Sequence, residues 1–100
     1  MNKIILMGRL TRDVEMFGQK SKVARFIIAV DRTYGEDETD FFNCVSFGKQ
    51  AEFVEKYLKK GTKILLTGRL QNNTYEDKQG NKVTSTQIIT EEIEFCESKK

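Results

Sequence analysis

Lys49-Gln50-Ala51-Glu52-Phe53-Val54-Glu55-Lys56-Tyr57-Leu58-Lys59-Lys60, followed by Gly61, is the stretch where apolar residues take up a helical period. Ala51, Val54, Tyr57 and Leu58 fall at i, i+3, i+6 and i+7 and make one face of a helix over 49–60. Glutamates come early and lysines late, as the helix dipole favours, and Gly61 is a natural terminator. No other segment reads convincingly as a helix, so what flanks this one decides the fold.

Three strands are read before the helix. Residues 3–10, Lys-Ile-Ile-Leu-Met-Gly-Arg-Leu, form the first and residues 22–32 the second, whose Phe26, Ile28 and Val30 share the parity of a core face. Residues 39–48 form the third; their Phe, Val and Cys content favours strand over helix. After the helix come strands over 62–74 and 82–95, joined by a hairpin tip at Asp77-Lys78-Gln79-Gly80-Asn81. Residues 63–70, Lys-Ile-Leu-Leu-Thr-Gly-Arg-Leu, nearly repeat residues 3–10 at an offset of 60. Duplication is one explanation; the favoured one is that two strands of one barrel face the same demand. The shared glycines, Gly8 and Gly68, suit sharp bends or bulges.

The order is therefore β-β-β-α-β-β. Five strands with one helix between the third and fourth is the layout of an all-β OB-fold, a partly open Greek-key barrel. An RRM-type fold needs a helix between its first two strands, and none is read there. The 100 residues make one domain over 1–97, with a short basic end at 98–100.

Composition narrows the function. Hydrophobic residues are 38% and charged residues 32%, the balance of a globular chain. No run approaches the ~20 apolar residues a bilayer requires. The N-terminal apolar run is too short for a signal peptide and meets Arg9, Arg12 and Asp13 at once, which predicts a cytoplasmic protein. The chain has no histidine, and its two cysteines, Cys44 and Cys96, are far apart, so no zinc-site spacing and no usual general base is present. Phosphate-loop, nucleophile-elbow and Cys-x-x-Cys motifs are missing, and the fifteen acidic residues scatter. This is read as a binding protein without a cofactor, not an enzyme. The net charge of +2 is only mildly basic, so the clustering of cations matters more than their sum.

Binding unpaired nucleotides takes exposed rings for stacking and cations for phosphates. Tyr34 and Tyr75 adjoin turn-forming residues, and Phe41 and Phe47 share a parity on the third strand. Alternation lets only one of Phe41 and Phe42 face inward; Phe26 and Phe53 read as core. The basic candidates are Lys3, Arg9, Arg32, Lys49, Lys56 and Arg69, with Arg9 and Arg69 each inside a strand beside a glycine. The acidic run Glu36-Asp37-Glu38 with Asp40 would repel phosphates, so that loop is expected to swing clear of a bound strand or to serve another partner.

The chain resembles the bacterial and bacteriophage single-stranded DNA-binding proteins over Asn2 to about Cys96. The resemblance rests on Asn2–Asp13, on Asp40–Glu52, on Tyr57-Leu58-Lys59-Lys60-Gly61, and on Gly68-Arg69-Leu70 with Tyr75 and Gly80. It implies an OB-fold that binds single-stranded DNA without sequence preference and works as a homotetramer in replication, recombination and repair, at the nucleoid. It places the family's base-stacking rings at Tyr34, Phe41, Phe47 and Tyr75 and its phosphate-contacting lysines at Lys3 and Lys49. Arg9, Arg32 and Arg69 are phosphate candidates from position alone. Family members often carry tryptophan where this chain has Tyr34, Phe41 and Tyr75, and basic residues where it has Gln71-Asn72-Asn73-Thr74, so weaker stacking and fewer phosphate contacts are expected. The acidic tip through which many members recruit replication and repair proteins is not found up to Lys100. An OB-fold subunit whose rings bind protein, and an RNA-binding OB domain, are the competing readings.

Overall fold

A computed structural model describes residues 1–18, 21–32, 34 and 38–96. Its elements run β1 (Ile4–Leu10), β2 (Glu15–Phe17), β3 (Val23–Asp31), β4 (Thr39–Phe47), α1 (Gly48–Tyr57), β5 (Lys63–Glu76) and β6 (Lys82–Phe95). The sheet order is β1-β5-β6-β4-β3-β2, and a second pairing of β1 with β3 closes a ring of five strands. That ring is the OB barrel. The β4–β6 pairing is parallel, and the other pairings are antiparallel.

The five ring strands are those read from the sequence. Strand β2 is an addition: three residues are too few to show a period, and β2 shares one edge of β3 with β1, pairing at Val23–Arg25 while β1 pairs at Ile28 and Ala29. The helix also differs from expectation. It ends at Tyr57 rather than Lys60, with Leu58 already extended, and its first turn holds no acidic residue. Glu52 and Glu55 instead reach Lys22 at 3.7 and 3.8 Å. Ala51, Val54 and Leu58 bury their side chains as the period requires; Tyr57 sits at the rim, its ring 5.1 Å from that of half-buried Phe53. The basic end at 98–100 lies outside the described residues.

The two near-identical segments pair with each other. In the β1–β5 ladder Ile4 faces Gly68, Leu6 faces Leu66 and Gly8 faces Ile64, so the repeat is antiparallel to itself about the Leu6–Leu66 pair. Each glycine marks a close approach to a neighbouring strand. A Cβ on Gly8 would stand 2.5 Å from the Ala29 carbonyl oxygen, and one on Gly68 2.3 Å from that of Ile89. The register shift at Thr67/Gly68 is the bulge foreseen for Gly68.

Alternation along β3 and β4 sorts the side chains, with Val45 of β4 buried although it has the outer parity. Ala24, Phe26 and Ile28 point into the barrel and meet Ser46, Cys44 and Phe42 across the ladder. Their neighbours form the outer face, and β5 and β6 run past the barrel as a long hairpin arm. Asp77 Oδ1 closes that arm by accepting from the Gln79 and Asn81 N–H groups, both at 2.9 Å.

Candidate nucleic-acid interface

The outer row of β4 is Phe41, Asn43, Val45 and Phe47. Two rings six residues apart on one strand stand ~20 Å apart. Beside this row β6 continues the surface through the parallel Val45–Ile89 pairing. The same face of the hairpin arm carries Arg69, Gln71, Asn73 and Tyr75 on β5 and Ser85 and Gln87 on β6, aligned by the β5–β6 register. Between the arm and the outer face of β3–β4 lies a cleft of about 430 Å³, with Tyr75, Asn73, Gln87, Asn43 and Arg25 among its walls.

The four predicted stacking rings are all exposed: Tyr34 89%, Phe41 64%, Tyr75 54% and Phe47 51%. For Phe and Tyr side chains this is uncommon when nothing covers them, because burying one contributes about 1.5–3 kcal/mol. The Phe41-Phe42 doublet splits as alternation demands, Phe42 packing against the core and Phe41 facing out. Tyr75 lines the cleft, and Phe41 and Phe47 lie at either end of the β4 row whose Asn43 and Val45 form part of its wall. Tyr34 lies apart from them in the β3–β4 connection, where Thr33 and residues 35–37 are outside the described residues.

The cations divide. Lys49 follows Phe47 at the start of α1, and Arg69 lies on the arm face, its Nη1 3.4 Å from Gln71 Oε1. Lys3 is 3.8 Å from Glu91. Arg9 donates to the Gly61 carbonyl at 3.0 Å and stands in the cross-strand row Lys63–Arg9–Ala29–Phe41, two strands from the Phe41 ring. Arg32 is engaged by Asp40 and Glu38. The Arg32 hydrogen bonds hold the Asp40 carboxyl below its ordinary value, and the Asp40 hydrogen bonds raise the guanidinium in turn. The described part of the acidic stretch therefore neutralises a predicted phosphate contact rather than swinging free.

Sequence reasoning passed over Arg25, Asn43, Gln87 and Phe17. Parity along β3 served to find Phe26 and Ile28; the opposite parity, Val23, Arg25 and Ile27, was there to be read as the outer face. Cys44, inside the barrel, is pushed up to about 12 by burial and offers no reactive thiolate. Among the described residues no cluster of His, Cys, Asp or Glu could hold a metal ion. Among the described residues no helix is long and apolar enough to cross a membrane.

Comparison with known proteins decides between the competing readings at the level of family. The Single-strand binding protein family matches residues 1–96. The chain belongs to this family. A single-stranded DNA-binding protein of Fusobacterium nucleatum is 50% identical over 107 residues, covering 99% of this chain and 69% of the relative. Single-stranded DNA-binding protein 1 of Staphylococcus aureus strain Mu50 is 48% identical, covering 99% and 67%. Single-stranded DNA-binding protein A of Bacillus subtilis is 43% identical, covering 99% and 61%. The chain thus matches about two thirds of the length of these single-strand binding relatives, and the OB barrel lies within the matched part.

Proposed function

We propose that this protein binds single-stranded DNA without sequence preference, keeping it unpaired and shielded during replication, recombination and repair, and that it catalyses no reaction. The observation that carries the reading is the exposure of Phe41, Phe47 and Tyr75, with Tyr75 in the wall of a polar, charged cleft and the two phenylalanines at the ends of the β4 row that borders it. Every base offers a π-face, so rings select unpaired strands over duplex without reading sequence. Tyr34 extends the set at the far end of β3–β4. Lys49 and Arg69 are the cations best placed for phosphates. Lys3, Arg9 and Arg32 would first exchange the partners they now hold. A titration of labelled oligo-dT with duplex and RNA competitors tests this; an RNA-preferring protein would show itself by the competition order.

The chain acts in the cytoplasm at the nucleoid and assembles as a homo-oligomer, a tetramer in our reading, so that one strand can cross several barrels. Support comes from the far side of the barrel, where Ile5 and Met7 on β1 are exposed and Met7 lies beside Leu65 of β5 in the ladder. A uniform 11.6 kDa species in sedimentation at micromolar concentration would contradict the assembly. The domain comprises 1–97, and partner proteins of the replication and repair machinery are expected to use other surfaces than the cleft.

A further inference from the structure

Strand β2 puts a fifth strand beside the cleft, through Glu15 in its wall. Phe17 points outward at 45% exposure, and the Arg25 guanidinium carbon lies 5.1 Å from its ring centroid, within cation–π range. Across the ladders Phe17 faces Val23 and Val23 faces Phe47, giving an apolar row ~10 Å long at strand spacing. Arg25 stands one step along that row and lines the cleft, with Glu15 directly opposite it on β2. No ion pair holds Arg25 among the described residues, whereas Arg32 is held by two carboxylates. The cleft's other charged walls are Arg12 and Asp13, and Asp13 Oδ1 is already accepting from the Lys60 N–H at 2.9 Å.

We infer that Phe17 and Arg25 form a further nucleotide-binding position, continuing the strand's path from Phe47 across Val23 onto β2, with the base over the apolar row and the phosphate on Arg25. This rests on the proposed single-stranded DNA binding and adds a position to it. The chemistry fits a polyanion with flat bases. Contact with the Phe17 ring holds the guanidinium from one side and leaves N–H groups for phosphate oxygens. Glu15 sets the limit of this position, since its carboxylate faces the same cation.

The test compares oligo-dT of about 4 and about 16 nucleotides, the limits of site size for one OB fold, on the wild type, Arg25→Ala, Arg25→Lys, Phe17→Leu, Glu15→Gln and Phe47→Ala. On the long strand Arg25→Ala is expected to weaken binding by about five- to tenfold and flatten the salt dependence by ~0.7 in log–log slope, the share of one phosphate. Arg25→Lys keeps the slope while losing affinity, Phe17→Leu weakens only the long strand, and Glu15→Gln tightens it. Phe47→Ala weakens both lengths. Arg25→Ala and Phe17→Leu binding both lengths like the wild type would overturn the inference while leaving DNA binding intact. Equal losses at both lengths with no change in slope would also overturn it, because they report damage to the fold. A wild type that binds neither strand would refute the broader function instead, and with it this position.

Discussion

The guanidinium of Arg32 grips both oxygens of Asp40, Nε donating to Oδ2 at 3.0 Å and Nη2 to Oδ1 at 2.9 Å, while Nη1 turns to Glu38. The pair lies at the mouth of the β3–β4 hairpin, next in sequence to Phe41. A bound phosphate must compete with two carboxylates for this cation. Removing both charges with Glu38→Gln and Asp40→Asn is expected to tighten oligo-dT binding and steepen its salt dependence by ~0.7 in slope, the contribution of one released cation. An unchanged slope would mean that Arg32 never meets the backbone.

The same pair has a pH signature. Asp40 is held below its ordinary value chiefly by the Arg32 hydrogen bonds. A lowered folded-state value means that its contribution to stability is complete above the unfolded carboxylate range and is lost as pH falls through the folded value. The effect is small, since the pair is exposed and screened. Acid titration by NMR should show Asp40 as among the last carboxyls to protonate, and Arg32→Ala should bring it back to its ordinary range.

Gly68 and Gly8 fix the barrel's closure. Gly68→Ala would force a Cβ to within 2.3 Å of the Ile89 carbonyl, and Gly8→Ala to within 2.5 Å of that of Ala29. Backbone atoms cannot step aside as a side-chain tip can, so each substitution should cost about 1–3 kcal/mol. In a chain of this length that lowers the melting midpoint by ~4–8 °C per kcal/mol. Thermal unfolding followed by circular dichroism measures it.

A polar relay, buried at its Ser46–Thr90 end, ties the helix to the barrel. Ser46 Oγ meets Thr90 Oγ1, which donates to Gln50 Oε1 at 2.5 Å, and Gln50 Nε2 donates to the Glu91 carbonyl at 3.0 Å. Both hydroxyl residues are buried, so Thr90→Val leaves Ser46 without its partner and is expected to destabilise by about 1–3 kcal/mol. Thr90→Ser should restore most of it. Denaturant unfolding of the two variants separates loss of the hydrogen bond from loss of the methyl group.

Cys44 and Cys96 should differ in reactivity. Burial pushes the Cys44 thiol up to about 12, while Cys96 is half-exposed past the end of β6. Iodoacetamide at neutral pH is expected to label Cys96 in the native protein and Cys44 only on unfolding. Labelling of Cys44 at the rate of Cys96 would mean that the barrel opens readily.

Much of this architecture was legible in the chain, for physical reasons. The period change at Lys49 announced the helix, and the recurrence of Gly-Arg-Leu announced two strands under equal constraint. What residues 3–10 and 63–70 did not reveal is that they pair with each other through Leu6 and Leu66. Strand β2 escaped because Glu15–Phe17 is too short to display alternation, and with it went Phe17 and its contact to Arg25. The Arg32–Asp40 pair depends on the register of β3 against β4, which places Val30 opposite Asp40. Local sequence contains no such distance. The helix stopped short of Gly61 because Leu58 turns extended to reach the core, an instance of packing overriding a terminator signal.

The proposed function turns on Phe41, Phe47 and Tyr75 stacking bases. The most direct test is an anisotropy titration of labelled oligo-dT against the wild type and against single alanine substitutions at these three positions, with duplex DNA as competitor. The expected result is salt-weakened binding to dT that duplex does not displace, and a loss of about 1–3 kcal/mol for each ring removed, with melting midpoints unchanged because the rings are exposed. Wild-type binding that survives removal of all three rings, or that duplex displaces readily, would contradict it.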